Sequence, residues 1–382
     1  MKRKILVVMG TRPEAIKLAP VVRELRGQTD LCEVLVVSTG QHREMLAQVL
    51  AIFGLEPDVN LEVMTPGQDL FDITSRTLLG MRTVLQTYKP DCVIVQGDTT
   101  TALGAAMAAF FERIPVAHVE AGLRTGDRCL PFPEEMNRRL IDQIAEWMFT
   151  PTRRSRDALI AEGVEDSRVT VTGNTVIDAL LATRALAQAR AVEIPGLPAG
   201  CLDGLRPILV TAHRRESFGR TIDGICRALV RVVDQNPDVA VVYPVHLNPN
   251  IDGPVRRILG GRDRIHLLPP LGYLEFVSLM DRSHLVLSDS GGLQEETPSL
   301  GKPILVLRDV TERPEGIEAG VAMLVGTNED GIVNGVQAVL SDPALFEKMA
   351  RGANPYGDGT ASERIAKILL SSSPTRHQTK AD

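Results

Sequence analysis

The chain has 382 residues, 44% of them hydrophobic and 24% charged, and its formal net charge is −6. This length and composition are typical of a globular protein with about two domains. Acidic and basic residues are interspersed without a dominant basic stripe, which argues against a nucleic-acid partner.

Cysteine usage and the N-terminus point to a cytoplasmic protein. The five cysteines are scattered, with no CxxC and no metal-type spacing, so we expect reduced thiols and no zinc site. The first residues, MKRKILVVMGTRPEAIK, contain only five successive apolar residues before charge returns, which predicts a β-strand rather than a signal peptide. No apolar run approaches the length of a membrane span.

Short β-branched runs alternate with helical patterns through the first half of the chain, which is typical of a parallel α/β domain. Strands are predicted at residues 4–9, 33–39, 91–97, 115–120, 147–151 and 169–173. Helices are predicted between them, at residues 14–25, 45–53, 72–88, 100–113 and 134–145.

The same pattern restarts after residues 194–205, a stretch rich in Pro and Gly that we interpret as a linker. In the second half, strands are predicted at residues 207–212, 239–245, 264–270, 284–289 and 303–308. Helices are predicted at residues 221–236, 273–281 and 361–370.

The two halves therefore predict two Rossmann-type α/β domains with parallel sheets. The N-terminal domain covers residues 1–185 and is completed by a C-terminal helix at 360–372, while the second domain covers 200–358. Residues 373–382 are expected to form a disordered tail. Because the carboxyl ends of parallel strands present ligand-binding loops, we expect the two sheets to face a central cleft.

The segment GTRPEAIK (10–17) stands where the first strand turns into the first helix. Pro13 suits the first helical turn, the helix N-terminus favours an anion, and Arg12 and Lys17 add positive charge. A plain strand-to-helix turn with solvated charges is the alternative. Since no GxGxxG occurs between a predicted strand and a helix, we do not expect a nicotinamide dinucleotide.

Three carboxylates follow elements of the first sheet: Asp98 in GDTTT, Glu120 in HVEAG, and Glu134 after two prolines. Structural alternatives exist, since Asp98 could cap a helix and Glu134 could be a first-turn residue favoured by the helix dipole. Together the three favour a catalytic site. Clustered carboxylates push one another's pKa values apart, which leaves one able to donate a proton and another able to accept it.

The second domain opens with VTAHRRESFGR (210–220), in which His213, Arg214 and Arg215 follow the first strand. A basic cluster on the surface is the alternative. A His at a strand end beside two Arg residues favours an anionic ligand. His246 follows the next strand, in a prolyl loop that is more often structural than catalytic.

The stretch SDSGGLQEETPSL (288–300) places a paired glycine at a turn between a buried strand and a helix. A nucleophilic serine and an ordinary tight turn are alternatives to an anion cradle. Ser290 lacks the GxSxG context of a nucleophile. Gly291 and Gly292 let backbone amides approach a phosphate closely, so we favour the cradle.

The acids and the arginine near this turn extend the same interpretation. Glu296 lies one turn into the predicted helix, where its side chain leans towards the N-terminus and can reach a ribose hydroxyl. Arg313, in TERPEG, adds a neighbouring positive charge, whereas Glu295 is given no role. The segment therefore predicts a site for a nucleotide diphosphate.

A set of motifs runs in order from residue 4 to about residue 365: GTRPEAIK, TGQHREML, GDTTT, HVEAGLRTGD, PEEMNR, TGNTVID, HRRESFG, YPVHLNPN, DSGGLQEE, TERPE and NPYGDG. With these motifs the chain resembles the bacterial UDP-N-acetylglucosamine 2-epimerases of the non-hydrolysing kind. The resemblance implies the GT-B fold, a homodimer, and no cofactor or metal. It also implies reversible interconversion of UDP-GlcNAc and UDP-ManNAc by elimination and re-addition of UDP, which supplies sugars for cell-surface polysaccharide.

The resemblance also implies roles for individual residues. Asp98, Glu120 and Glu134 are the acid/base candidates, although which of them removes the proton stays open, and His213 supports the departing phosphate. Arg12 and Lys17 contact the substrate. The residues implied to hold the UDP are Ser290, Gly291, Gly292, Glu296 and Arg313, with Phe276 against the uracil.

Some bacterial relatives bind a second UDP-GlcNAc beside the active site as an activator. The residues that match this site by resemblance are Gln41, Gln68, Glu134, Arg214 and His246. Three other functions remain open at this point. They are a hydrolysing 2-epimerase that releases ManNAc and UDP, a GT-B glycosyltransferase, and a catalytically idle UDP-sugar sensor.

Overall fold

The computed structural model describes residues 2–40, 43–65, 67–214 and 218–371, with the side chains of 43–45 left out. These residues form two compact units. Unit 1 comprises the described residues of Met1–Ala179 and Tyr356–Asp382, and unit 2 is formed by those of Leu180–Pro355. The expected tail at 373–382 lies outside the described residues.

Within the described residues, unit 1 is built on a seven-stranded sheet with the order β3-β2-β1-β4-β5-β6-β7. Its strands are β1 (Arg3–Met9), β2 (Cys32–Ser38), β3 (Val59–Asn60), β4 (Cys92–Gln96), β5 (Val116–Val119), β6 (Trp147–Thr150) and β7 (Val169–Val171). All neighbouring strands pair in parallel. Their side chains are largely apolar and buried, as expected for a parallel sheet covered on both faces.

Helices connect these strands. They are α1 (Arg12–Gly27), α2 (Arg43–Ile52), α3 (Leu70–Tyr88), α4 (Thr100–Phe111), α5 (Glu134–Ile144), α6 (Arg153–Ala161) and α7 (Thr175–Arg190). Local sequence sets where α1 begins, because Thr11 and Glu14 form a capping box in which each side chain bonds the main-chain N–H of the other. The division between the two units falls inside α7, between Ala179 and Leu180.

In the part of the chain that the structure describes, unit 2 has a six-stranded sheet with the order β10-β9-β8-β11-β12-β13. Its strands are β8 (Arg206–Thr211), β9 (Val239–Pro244), β10 (Ile265–Leu268), β11 (Leu285–Ser288), β12 (Ile304–Val306) and β13 (Ala322–Leu324). Its helices are α8 (Arg220–Gln235), α9 (Pro249–Leu259), α10 (Tyr273–Arg282), α11 (Gly291–Glu296), α12 (Pro314–Glu318), α13 (Glu329–Ser341) and α14 (Pro343–Arg351). These strands also pair in parallel, which confirms the expected class of two parallel α/β units.

The last helix, α15 (Ala361–Ser371), packs on α1 and so belongs to unit 1. Its N-terminus is held by the buried carboxylate of Asp178 in α7. Asp178 accepts hydrogen bonds from the main-chain N–H groups of Ser362 (2.7 Å) and Ala361 (3.3 Å). The carboxylate therefore satisfies two of the donors that a helix N-terminus leaves without an intrahelical partner.

The structure adds elements that the sequence pattern did not indicate. The strands β3 and β13 contain two and three residues, too few to show an alternating pattern. The helix α9 contains Gly253 and has Pro254 in its interior, and both residues weaken a helical prediction. The helices α6, α7, α12, α13 and α14 were also not predicted.

Candidate active site

The strand order of the first sheet reverses between β1 and β4, and ligand sites of open parallel sheets lie at such points. The loop that follows β1 is closely packed. A Cβ atom on Gly10 would overlap Thr39 Oγ1 and lie 2.9 Å from Thr101 Oγ1. A side chain at this position would therefore force Thr39 or Thr101 to shift, and the chain passes directly into α1, whose first residue is Arg12.

A buried carboxyl, Glu14, joins the loops that follow β1 and β4. Its Oε2 accepts hydrogen bonds from the N–H groups of Gly10 (2.9 Å) and Thr11 (2.6 Å), and its Oε1 accepts one from Thr99 Oγ1 (2.6 Å). Burial raises the pKa of Glu14, although these hydrogen bonds act to lower it. The four residues hold the two loops together at the switch point.

Glu120 directly follows β5 and lies in a pocket of hydrogen-bond donors. Both carboxylate oxygens are 2.6 Å from Lys17 Nζ, Oε1 also accepts from Asn174 Nδ2 at 2.9 Å, and Oε2 accepts from Gln96 Nε2. The residue is 7% exposed, and its φ angle of +67° lies in the left-handed region. For a residue other than glycine this conformation costs roughly 1–3 kcal/mol and is a recurrent feature of functional sites.

Asp98 follows β4, and its carboxylate pairs with the guanidinium of Arg138 in α5. Its main-chain oxygen accepts a hydrogen bond from Asn137 Nδ2 at 2.9 Å. The helix-capping alternative for Asp98 is wrong, because Thr99 is the N-cap of α4 and accepts from the N–H of Ala102 at 3.0 Å. The Asp98 carboxylate, 28% exposed, is therefore free of a capping role.

The two acids at the start of α5 have different surroundings. Glu135 is fully buried and bonds to Arg139 Nε (3.0 Å) and the N–H of Thr125 (3.1 Å), with Arg138 at 3.5 Å. Glu134 is the first residue of the helix and only half-buried. One helical turn separates Glu134 from Arg138, so the structure brings the element that carries Glu134 against the loop of Asp98.

In unit 2 the strand order reverses between β8 and β11, and side chains join the two strand ends. Thr211 Oγ1 lies 2.7 Å from Ser288 Oγ, which in turn accepts a hydrogen bond from the N–H of Ser290 at 2.9 Å. Thr211 and Ser288 are also paired in the register of the two strands. The loops that carry the predicted phosphate contacts therefore start from one point of this sheet.

Asp289, which sequence reasoning did not single out, organises the loop after β8. Its carboxylate is 1% exposed, and Oδ2 accepts hydrogen bonds from the N–H groups of His213 (2.8 Å) and Arg214 (2.9 Å). Its Oδ1 lies 3.6 Å from His213 Nδ1. The signal available in the sequence was an acid between two serines at a strand end.

The ring of His213 stacks on that of His246, with centroids 5.7 Å apart. Burial lowers the pKa of His213; Asp289 acts to raise it, while His246 and Arg214 lower it further. Two residues predicted for different sites, His213 and His246, thus lie in contact at the ends of neighbouring strands.

Gly291 and Gly292 are the first two residues of α11, and charged side chains lie close to Gly291. A Cβ atom on Gly291 would lie 3.0 Å from Glu312 Oε1 and 3.6 Å from an Arg214 nitrogen. Glu312 pairs with Arg214 (3.1 Å) and with Arg308. Burial acts to raise the pKa of Glu312, but hydrogen bonding and the neighbouring arginines lower it on balance. The absence of a side chain at Gly291 keeps the helix start accessible to these charges.

Near the glycines, Glu296 is 9% exposed and its Oε1 lies 3.4 Å from Tyr273 Oη. A Cβ atom on Gly292 would be 3.8 Å from the Glu296 carboxylate and 3.9 Å from Ser290 Oγ. Glycine at position 292 therefore lies directly beside both side chains predicted to contact the nucleotide. Phe276, in α10, is half-buried.

Arg313 is held by Glu295, the acid that the sequence left without a role. Glu295 is 3% exposed, and its carboxylate accepts a hydrogen bond from Arg313 Nε. The N–H of Arg313 also donates to Thr311 Oγ1 at 3.0 Å, and that hydroxyl donates to Gln294 Oε1 at 2.6 Å. Glu295, for which the sequence predicted no role, therefore fixes the guanidinium of Arg313.

Among the residues predicted for an activator site, Gln68 is half-buried and accepts a hydrogen bond from the N–H of Thr65 at 2.8 Å. Gln41, like Arg215, lies outside the described residues. In the part of the chain with described positions, no cluster of three or more ligating side chains could hold a metal ion. Every helix in that part is too short or too polar to span a membrane.

The chain is similar to known proteins over nearly its whole length. A family model described as UDP-N-acetylglucosamine 2-epimerase matches residues 23–370. UDP-N-acetylglucosamine 2-epimerases from Yersinia pestis and from Escherichia coli K12 are 53% and 51% identical to the chain, over 96% of it and 98% of each relative. The crystal structure of the Neisseria meningitidis UDP-GlcNAc 2-epimerase bound to UDP-GlcNAc is 45% identical and superposes with a TM-score of 0.84, over 97% of this chain and 100% of that one. These similarities confirm the expected GT-B type of fold.

Proposed function

The chain belongs to the UDP-N-acetylglucosamine 2-epimerase family, and we propose that it interconverts UDP-GlcNAc and UDP-ManNAc as a non-hydrolysing epimerase. The observation that carries the proposal is the environment of Glu120. Its carboxylate is held by Lys17, Gln96 and Asn174 on a backbone in the left-handed region, beside the loop of Asp98. Residues held in such backbone conformations cluster at active sites, ligand clamps and switch regions.

The chemistry requires more than one acid/base group. The C2 proton of the sugar is not acidified by a carbonyl, so we propose that UDP leaves C1 as the C2–H bond breaks. The proton passes to a carboxylate, the electron pair forms the C1–C2 double bond of 2-acetamidoglucal, and the C1–O pair leaves with UDP. A proton returned to C2 from the opposite face, with UDP returning to C1, gives the epimer. Groups on two faces of the ring are needed, because a single base returning its proton would regenerate the starting sugar.

Unit 1 supplies these groups in our proposal. Asp98, Glu120 and Glu134 are the acid/base candidates, and they follow β4, follow β5 and begin α5. Lys17 lies 2.6 Å from the Glu120 carboxylate and, with Arg12 at the start of α1, is proposed to contact the substrate. The ion pair of Asp98 with Arg138 is compatible with this role, because it fixes the orientation of the carboxylate.

Unit 2 holds the leaving group in our proposal. His213 and Arg313 face the diphosphate with positive charge, and the region around Ser290 and the glycines 291 and 292 supplies close backbone contacts. Preorganised donors of this kind stabilise the charge that develops on a leaving phosphate. Glu296 is proposed to bind the ribose and Phe276 to lie against the uracil.

A second UDP-GlcNAc is proposed to activate the enzyme through Gln41, Gln68, Glu134, Arg214 and His246. The stacking of His246 on His213 supports a connection, because a ligand bound at His246 would act on a side chain in direct contact with His213. Sigmoidal kinetics, and a slow reaction of pure UDP-ManNAc that UDP-GlcNAc accelerates, are expected. Hyperbolic kinetics in both directions would contradict this part.

We further propose a cytoplasmic homodimer that supplies sugars for cell-surface polysaccharide. Exposed apolar side chains on neighbouring helices of unit 1 support self-association: Leu79 in α3, Phe110 and Phe111 in α4, and Leu140 in α5 are 44–63% exposed. Analytical ultracentrifugation is expected to give twice the 41.5 kDa chain mass, and the Phe111→Glu variant is expected to weaken the dimer.

The test is incubation with UDP-GlcNAc in heavy water, followed by proton NMR. Deuterium at C2 together with formation of UDP-ManNAc is expected. Free ManNAc released in proportion to turnover would identify a hydrolysing enzyme instead. Binding of UDP-GlcNAc without deuterium at C2 would contradict the epimerase proposal and would favour a catalytically idle UDP-sugar sensor.

A further inference from the structure

One histidine stands in an otherwise apolar row of the unit 1 sheet. His118 lies in β5 and pairs in register with Val95 of β4 and Met148 of β6, and its side chain is fully buried. Interior strands of parallel sheets are normally filled by apolar residues. A buried polar ring at this position costs desolvation free energy, so its hydrogen bonds need an explanation.

The first hydrogen bond of His118 holds the loop that precedes Asp98. Its Nε2 lies 2.8 Å from the main-chain oxygen of Gly97. A carbonyl oxygen can only accept, so the N–H of Nε2 donates. Gly97 has a φ angle of +69°, and the peptide plane fixed by this bond is the one that leads into Asp98. The ring thereby sets the direction in which the chain leaves β4.

The second hydrogen bond connects His118 to α5, the helix that begins with Glu134. Nδ1 lies 2.7 Å from Oδ1 of Asp142, which is fully buried. The other oxygen of Asp142 is 2.8 Å from Arg124 and accepts from the N–H of Gly122 at 3.4 Å. Arg124 and Gly122 belong to the loop that follows Glu120, so the same carboxylate also holds that loop.

We propose that His118 is a positioning residue that aligns the three acid/base segments, with Asp142 as its anchor. The ring contacts the residue before Asp98, it stands two residues before Glu120 on β5, and it bonds to the helix that Glu134 begins. Arg138 and Asn137 of α5 add direct contacts to Asp98, and His118 adds the contact to the residue before it. A buried polar pair rarely adds stability over an apolar one, but it fixes geometry, and a misplacement of about 1 Å at a reacting group can cost 10²-fold in rate.

The inference rests on the proposed epimerase function, and its test separates the two hydrogen bonds. His118→Gln keeps an amide donor near the position of Nε2, so the bond to Gly97 is retained. His118→Asn keeps a donor near the position of Nδ1, so the bond to Asp142 is retained and the Gly97 carbonyl loses its donor. Initial rates with UDP-GlcNAc are measured for both variants, with active protein normalised by UDP binding.

His118→Gln, which loses the anchoring bond to Asp142, is expected to lower kcat about threefold, whereas His118→Asn, which leaves the Gly97 carbonyl before Asp98 without its donor, is expected to lower kcat by tenfold or more, with KM unchanged in both. A purely structural role predicts equal loss of folded protein and equal kcat per folded molecule. Equal kcat values in the two variants therefore overturn the proposal. A wild-type protein that does not epimerise would instead overturn the proposed function.

A second pair of variants keeps the proposal testable where a substitution at position 118 prevents folding. Asp142→Asn retains an oxygen that accepts from Nδ1 of His118, whereas Asp142→Ala leaves the ring without its anchor. The Asn variant is expected to retain a higher kcat than the Ala variant at the same KM. Identical kcat values in this pair contradict the positioning role.

Discussion

Asp289 holds His213 both through its backbone and through its ring: the carboxylate accepts the N–H of His213 at 2.8 Å and lies 3.6 Å from Nδ1. The same oxygen accepts the N–H of Arg214. The end of β11 therefore fixes the loop that follows β8. Both loops are proposed to contact the leaving phosphate. Asp289 therefore fixes the backbone of His213 and also acts to raise the pKa of its ring.

Replacing Asp289 by Asn is expected to move the alkaline limb of the kcat/KM profile to lower pH. Asn keeps an oxygen for the two N–H groups but removes the negative charge that raises the pKa of His213. Burial, His246 and Arg214 then act without opposition, so the pKa of His213 falls. The imidazolium, which we propose supports the phosphate, is consequently lost at a lower pH. The kcat/KM profile and the NMR titration of His213 measure the shift.

The matched control for this variant is Asp252→Asn, which changes a partly exposed acid of the same unit that pairs with Arg256. Its profile is expected to equal that of the wild type. An unchanged alkaline limb in the Asp289 variant would show that the charge state of His213 does not limit the reaction.

Replacing Glu120 by Gln is expected to lower kcat by roughly 10²–10⁴-fold, the usual contribution of general acid–base catalysis. The three side chains around the carboxylate are all donors, so an amide nitrogen at position 120 would face another donor. Deuterium incorporation at C2 is the direct measurement. Glu33→Gln, an exposed acid bonded to Tyr88, serves as the control and should leave kcat unchanged.

Replacing Glu295 by Gln is expected to lower kcat/KM for UDP-GlcNAc about tenfold, because Arg313 is proposed to contact the diphosphate both when it is bound and as it leaves. A hydrogen bond to a charged group contributes about 1.5–3 kcal/mol, and 1.4 kcal/mol corresponds to a factor of ten. The expected decrease arises because the Arg313 guanidinium is no longer held in one orientation. Isothermal titration with UDP measures the binding part directly, and an unchanged kcat/KM together with unchanged UDP binding would contradict this assignment.

Replacing Asp178 by Ala is expected to destabilise unit 1 by about 1 kcal/mol, the typical loss for a helix cap. Two N–H groups at the start of α15 lose their acceptor. Urea unfolding followed by the fluorescence of Trp147 reports on unit 1, because this is the only tryptophan of the chain and lies in β6. Asp178→Asn keeps an acceptor oxygen and should lose less stability than the Ala variant.

The sequence predicted most elements and the residue types of the candidate site because these depend on local patterns. Alternating β-branched runs specify strands such as β1 and β8 independently of distant residues. The capping box of Thr11 and Glu14 spans only four residues, so the start of α1 is also encoded locally. Short motifs such as GDTTT and DSGG likewise identified Asp98 and the paired glycines.

The sequence by itself therefore determined two parallel α/β units, the family, and the candidate acids. Only the tertiary structure decided which partners those acids have. Glu120 meets Lys17 across 103 residues and Asn174 across 54, and Asp289 meets His213 across 76. Such contacts depend on the strand order of each sheet and on how helices pack over it, and neither is encoded in a local pattern. Roles could be assigned to three further residues only from the tertiary structure, because their partners are distant in the sequence. These residues are Asp289, Glu295 and His118.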